Sequence, residues 1–260
     1  MPFANNNGVR IHYEVEGHGP PLMLHHGFSD TWEMWHQTGY AQELSQEYRL
    51  IMLDSRGCGA SDKPHDEKDY DFRFRVGDLV AVLDDLNVQK ANYFGYSLGG
   101  KVGFRIPIYA PERFRSLILG GAIYPLLGTE DAQSALTIAI ARRFEKEAHL
   151  AEMGKPSVPR NPGQSPSILP HDPWALLASA RALLNAVSPK SEEVLPHVNL
   201  PCLIFAGEAD PYFVDARECS GRIPNAVFFS LPGLNHKQAI GHSDLTLPHI
   251  KKFLAEVNKR

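Results

Sequence analysis

Val9, Ile11, Tyr13 and Val15 alternate with Arg10, His12 and Glu14 near the start of the chain. A period of two predicts a half-buried antiparallel strand. Gly17-His18-Gly19-Pro20 predicts a turn, and Pro21-Leu22-Met23-Leu24 a second strand. After that the pattern changes. Short, mostly apolar runs recur at Tyr48–Leu53, Ala91–Phe94, Arg115–Gly121, Cys202–Ala206 and Ala226–Leu231. Such runs read as strands covered on both faces. Between them the apolar spacing turns helical, as at Val76–Leu83 and after Leu98. A closing helix is predicted to bury Ile250, Phe253, Leu254 and Val257, with Pro248 in its first turn. Strands alternating with helices require a mostly parallel sheet.

The alternation breaks between Tyr124 and Val194. Two helices are predicted there. One runs from Asp131 to Leu150, with Leu136, Ile140 and Phe144 on one face; the other runs from Trp174 to Val187, with Trp174, Leu177, Arg181 and Leu184 aligned and Ser188-Pro189 ending it. Between them Pro156, Pro159, Pro162 and Pro166 mark a proline-rich loop, expected to order weakly. The domain organisation that follows is one α/β core, residues 1–123 and 195–260, interrupted by a helical insertion, residues 124–194.

Composition narrows the possibilities. A chain of 260 residues is long enough for one α/β domain with a modest insertion. A net charge of −4 gives no basic surface for nucleic acid. No apolar run is long enough to cross a bilayer, and the first residues do not spell a secretory signal. Cys58, Cys202 and Cys219 are an odd set without metal spacing, which points to a reducing, cytoplasmic setting; Cys58 lies in a glycine turn, either partly exposed or a small filler. There is no His-Glu-x-x-His, phosphate loop or dinucleotide fingerprint, so neither a metal nor a cofactor is expected.

One stretch carries chemistry. Gly95-Tyr96-Ser97-Leu98-Gly99 lies between a predicted strand and a predicted helix. A serine on that sharp turn is pushed out of the sheet, and the flanking glycines leave room for the turning backbone. A serine hydroxyl needs a base, and the base needs an orienting acid. Asp210 closes the strand that ends at Ala206 and is the acid candidate, with Glu208 its rival. His236 follows the last strand and is the base candidate. His242 and His249 fall in or beside the closing helix and read as surface histidines. Leu24-His25-His26-Gly27-Phe28 follows the second strand. Acyl transfer builds charge on a carbonyl oxygen, and the N–H groups of Phe28 and Leu98 are the candidate donors to it. His25 and His26 are expected to shape that loop rather than move protons.

With these residues in this order the chain resembles the α/β-hydrolase superfamily of serine hydrolases, in its carboxylesterase and enol-lactonase branch. The resemblance also rests on Asp54-Ser55-Arg56-Gly57-Cys58-Gly59-Ala60-Ser61, a glycine-rich turn in which Asp54 and Arg56 are expected to brace the site. It implies a mostly parallel eight-stranded sheet, helices on both faces, and a small helical cap at the insertion. It implies a triad of Ser97, Asp210 and His236, an oxyanion hole at Phe28 and Leu98, and a small-molecule ester or lactone as substrate. Serine at the elbow, where dehalogenases and epoxide hydrolases need aspartate, argues against those activities. Carbon–carbon hydrolases use the same triad, but Tyr96 and the short His26-Gly27-Phe28 loop depart from their pattern. Perhydrolase or haloperoxidase activity is a conceivable side reaction, and a slow-turnover ligand receptor is the alternative of another class. Trp32, Tyr96, Tyr124 and Phe213 are candidate pocket residues on chain proximity, and Trp174 as an aromatic residue of the cap.

Overall fold

The computed structural model describes residues 1–126, 130–153 and 172–259. The expected proline-rich loop, and the side chain of Leu136, lie outside the described residues. Eight strands form one sheet: β1 (Phe3–Asn6), β2 (Val9–Glu16), β3 (Pro21–His25), β4 (Arg49–Leu53), β5 (Ala91–Tyr96), β6 (Phe114–Gly120), β7 (Cys202–Gly207) and β8 (Ala226–Leu231). Their order is β1-β2-β4-β3-β5-β6-β7-β8. β1 and β2 pair antiparallel, as do β2 and β4; every later pairing is parallel. The chain therefore turns to one side after β3 to make β4, and to the other to make β5. A reversal of this kind opens a crevice at the carboxyl ends of the strands.

Two apolar layers cover the sheet. Helices Phe72–Asp85, Leu98–Gly103 and Phe213–Arg222 contribute to one, through Val76, Leu79, Val102 and Ala216. The closing helix Ser243–Val257 contributes to the other, burying Ile250 and Leu254 against Trp35, Tyr40 and Phe94. Pro248 lies inside this helix rather than in its first turn, because the helix begins five residues earlier, at Ser243. Its ring removes one backbone bond, a loss the buried face offsets.

The two helices of the insertion run Glu130–Glu152 and Pro173–Leu184. The second starts where Asp172 accepts from the N–H groups of Trp174 and Ala175, and it ends three residues short of Val187. Phe144, Leu176, Leu177 and Ala180 form a small core between the helices, with Ile140, Trp174 and Leu184 at its margin. Phe28 and Cys58, from the loops after β3 and β4, belong to the same cluster. Buried Arg75 ties the arrangement down: its guanidinium donates to the Tyr70 carbonyl at 2.8 Å and to Ser179 Oγ of the second helix at 2.9 Å.

The glycine turn after β4 is braced as expected. Asp54 accepts from the N–H groups of Trp32 and Ala60, at 2.9 Å each, and lies 2.8 Å from His12 Nδ1. Arg56 donates twice to Asp78, at 2.6 and 2.7 Å, a buried two-point pair. Gly59 has φ +49, and a Cβ there would lie 2.1 Å from the Asp54 carboxyl. Gly59→Ala is therefore expected to lower stability by about 1–3 kcal/mol, measured as a fall in thermal midpoint. Cys58 is buried in this turn and not partly exposed; burial pushes its thiol up to about 12, so it packs as a small apolar group.

Candidate active site

Ser97 stands where β5 breaks into helix Leu98–Gly103, at φ 53 and ψ −109. A positive φ is costly for a residue with a Cβ, so the surroundings must impose it. They do so through two glycines. A Cβ on Gly95 would lie 2.4 Å from the Gly99 backbone, and one on Gly99 would lie 2.1 Å from the His25 carbonyl. The Ser97 N–H is fixed to the Gly120 carbonyl at 2.9 Å.

β3 and β5 are neighbours, with His25 opposite Gly95. The His26-Gly27-Phe28 loop and the serine turn consequently leave the sheet side by side, joined by a bond from the Gly99 N–H to the His26 carbonyl at 3.1 Å. Among the described residues, no backbone carbonyl accepts from the N–H of Phe28 or of Leu98. The Leu98 N–H follows the serine directly, and the Phe28 N–H belongs to the adjoining loop.

The histidines of this loop are structural in their bonding. Tyr93 donates its O–H to the Gly99 carbonyl at 2.7 Å, so it accepts from His25 Nδ1–H at 2.8 Å. His25 Nε2 then accepts from Ser55 Oγ at 2.7 Å. Burial, followed by the nearby His26 and Arg75, holds the His25 imidazole well below its usual range, in the neutral form this chain of bonds requires. His26 Nε2 accepts from the Ser55 N–H at 3.0 Å, which leaves its Nδ1–H for the Gly27 carbonyl at 2.7 Å.

β7 and β8 carry the acid and base candidates, and they too are parallel neighbours. The loop after β8 folds across the end of β7, where its Leu234 carbonyl accepts from the Ala209 N–H at 3.0 Å. A Cβ on Gly207 would lie 2.1 Å from that carbonyl, so glycine is required at the crossing. Asn235 then caps a short helix, His236–Gly241, in a reciprocal bond pair with Gln238. His236 Nδ1 lies 2.7 Å from Asp210 Oδ2, and His236 Nε2 lies 3.0 Å from Ser97 Oγ. The Asp210 side chain is fully buried, and its other oxygen accepts from the Tyr212 N–H at 2.9 Å. A carboxylate can only accept, so His236 Nδ1 carries the proton and Nε2 is free to accept from Ser97.

The rivals bond elsewhere. Glu208 is exposed and accepts from Ser230 Oγ at 3.0 Å. His249 stacks on Phe229 at 4.2 Å, and His242 lies 3.5 Å from Asp244.

Aromatic rings hold the His236 imidazole. Tyr96 lies against one side at 5.3 Å between centroids and donates its O–H to the His236 carbonyl. Tyr212 meets it edge-on at 5.6 Å. Gly121 makes the space: a Cβ there would lie 2.8 Å from the Tyr96 hydroxyl and 3.0 Å from His236 Cε1. Sequence reasoning passed over Tyr212 and Gly121. Tyr212 stands two residues after the acid candidate, which is the one signal that pointed to it.

The five candidate pocket residues do not converge. Trp174 lies at the margin of the cluster that contains Phe28. Tyr96 is buried beneath His236. Tyr124 is fully buried between Phe104 and the Arg105 guanidinium, with its hydroxyl on the Pro189 carbonyl, so it belongs to the interior. Phe213 packs on Phe228 of β8, and Trp32 on the rings of His12 and His36.

Residues 20–151 match the alpha/beta hydrolase fold family. The chain belongs to that family. Within it, the chain is similar to an epoxide hydrolase 3 of Siraitia grosvenorii, 35% identical over 115 residues, 44% of this chain and 36% of that enzyme. The chain thus spans about a third of that enzyme's length. A cis-3-alkyl-4-alkyloxetan-2-one decarboxylase of Shewanella oneidensis is 28% identical over 98% of this chain and 88% of its own length. The enol-lactonase of Burkholderia xenovorans LB400 superposes with a TM-score of 0.74 at 22% identity, covering 98% of this chain and all of its own. These likenesses share the alpha/beta hydrolase fold. Among the described residues, no helix is long and apolar enough to cross a membrane.

Proposed function

We propose that this alpha/beta hydrolase is a serine enzyme that cleaves a carboxylic ester through an acyl-enzyme intermediate. The observation that carries the reading is the chain of bonds from Ser97 through His236 to Asp210, at 3.0 and 2.7 Å. His236 Nε2 takes the hydroxyl proton as Ser97 Oγ bonds to the carbonyl carbon. The resulting oxyanion receives the free N–H groups of Phe28 and Leu98. His236 passes its proton to the leaving alcohol, and an acyl-serine remains. Water then gives a proton to His236 and its oxygen to the acyl carbon; the acid departs and Ser97 recovers its proton. Asp210 holds the imidazole tautomer throughout. None of these steps needs a metal or an organic cofactor.

A cyclic ester suits the same groups, since only the tether on the leaving oxygen differs. The oxetan-2-one of the Shewanella relative's name is a cyclic ester, and that relative aligns with nearly the whole chain. Epoxide opening by Ser97 would leave an ether with no carbonyl for water to attack, so the epoxide hydrolase likeness does not extend to the reaction. The helices of residues 124–194 act in this reading as a cap over the serine. Their core shares Phe28 with the oxyanion loop, and Phe28 lies 5.8 Å from the Phe144 ring. Three buried thiols fit a reducing cytoplasmic setting.

A panel of p-nitrophenyl esters and small lactones, assayed for turnover, tests the proposal. Ester or lactone turnover that exceeds that of a Ser97→Ala control supports it. Binding with turnover no faster than the control would favour a ligand receptor instead. The cap reading makes its own prediction. Trp174→Ala should lower the octanoate-to-acetate ratio of kcat/KM by roughly tenfold, mainly through KM, because a lost apolar contact weakens binding of the chain more than the chemical step. An equal loss on both esters would mean that the helices support the catalytic geometry rather than form a wall.

A further inference from the structure

Lys101 lies one turn beyond Ser97 on the helix that starts at Leu98, and its N–H bonds the Ser97 carbonyl at 2.9 Å. Side chains four residues apart share a helix face, and their Cα–Cβ bonds tilt toward the N-terminus. Lys101 is thereby directed toward the serine end. Its ammonium donates to Tyr212 Oη at 3.3 Å and lies 4.9 Å from the centre of that ring. Tyr212 is the ring that meets His236 edge-on. The cation is therefore one aromatic ring away from the catalytic imidazole.

The charged group that acts on Lys101 is another cation, Arg105, and it makes the ammonium harder to keep protonated. Arg105 itself donates to Ser188 Oγ at 2.8 Å and is sandwiched by the rings of Phe72 and Tyr124. Among the described residues, no carboxylate pairs with either. An ammonium has three donors, and one is used on Tyr212. The side chain is partly exposed, so the other two donors are open to a ligand. Burial and then Arg105 bring the ammonium down to about 8, which leaves it charged near neutral pH.

Resting on the serine-hydrolase reading above, we propose that Lys101 recognises a carboxylate carried by the substrate. The two donors left on its ammonium supply a charge-assisted pair with a group that the ester bond itself does not need. Occupation by an anion would also remove the repulsion between Lys101 and Arg105.

Two arms test this and identify which side of the ester bears the carboxylate. In the first, mono-p-nitrophenyl adipate is compared with p-nitrophenyl hexanoate. In the second, 3-carboxyphenyl hexanoate is compared with its methyl ester. The readout is the ratio of kcat/KM, acid to neutral, within each pair. The wild type should prefer the acid by about tenfold or more in one arm, the scale of one hydrogen bond between charged groups. Lys101→Met should remove that preference through KM, and Lys101→Arg should retain most of it. In the wild type the preference should fall between pH 7 and 9.5, as Lys101 loses its proton while the carboxylate stays ionised. Arg105, at about 10, stays largely charged over this range, and Tyr212, pushed up to about 12, stays neutral. Any change in the catalytic groups themselves acts on both members of a pair and cancels in the ratio.

A ratio near one in both arms, or a preference that survives in Lys101→Met, overturns the proposal. If Lys101→Met does not fold, Lys101→Gln carries the same test. An enzyme that cleaves neutral esters without preferring either acid retains the serine-hydrolase reading and loses this one. A protein that cleaves no ester loses both.

Discussion

Ser97→Ala is expected to lower kcat on any ester by about 10⁶-fold, the loss that follows removal of the nucleophile in serine proteases. The residual rate would come from the oxyanion donors and from substrate binding, neither of which involves the hydroxyl. The fold should be unaffected. Ser97 Oγ caps no backbone group of the helix that follows it, and its hydrogen bond in the site is to His236 Nε2. Covalent labelling by a fluorophosphonate should vanish with the activity. Ser97→Gly adds a second readout. The serine is held at φ 53, which a glycine adopts without strain. That variant should be as inactive as Ser97→Ala but more stable than the wild type by about 1 kcal/mol. Undiminished labelling of Ser97→Ala would remove the serine from the mechanism. A glycine variant less stable than the wild type would mean that the turn is not where strain is held.

The main lines of this fold are written in local patterns. Apolar runs such as Cys202–Ala206 and Ala226–Leu231 leave a strand little alternative, and both became neighbours in the sheet. The candidate triad was legible for a related reason: each member follows a strand, and in a parallel sheet the loops after the strands gather at one edge. β1 escaped notice because Phe3-Ala4-Asn5-Asn6 has little strand propensity, and its pairing with β2 is a tertiary gain. Pro248 was misplaced because the helix starts upstream on Ser243 and Asp244, residues without an apolar period to mark them. The pocket was the least legible part. Tyr124 and Phe213 are close to the site along the chain, but their rings point into the interior, and which way a ring faces depends on how each element is rotated. Lys101 was hidden in the same way. A lysine in a helix usually marks a solvated face, and only the packing of Tyr212 against His236 gives it another meaning.

Asp210→Asn is expected to preserve the fold and lower kcat by about 10⁴-fold, as the equivalent change does in serine proteases. The geometry gives the reason. One Asp210 oxygen accepts from the Tyr212 N–H at 2.9 Å, and the other lies 2.7 Å from His236 Nδ1. An asparagine amide has only one oxygen. The Tyr212 backbone N–H can only donate, so that oxygen stays on it and the NH₂ group turns to His236. A donor facing Nδ1 requires Nδ1 to accept, so the ring proton moves to Nε2. Nε2 is the atom 3.0 Å from Ser97 Oγ, and once protonated it cannot take the serine proton. The loss should lie in kcat, because nothing on the substrate touches the Asp210 side chain, which is fully buried. Glu208→Gln provides the contrast. That carboxylate is exposed and bonded to Ser230, so its replacement should leave kcat within about twofold, as surface changes do. Steady-state kinetics on one activated ester, together with circular dichroism of both variants, decide the matter. A large loss in Glu208→Gln with little change in Asp210→Asn would assign the orienting acid to the wrong carboxylate. A full loss in both would mean that the whole turn after β7, rather than one carboxylate, positions the imidazole.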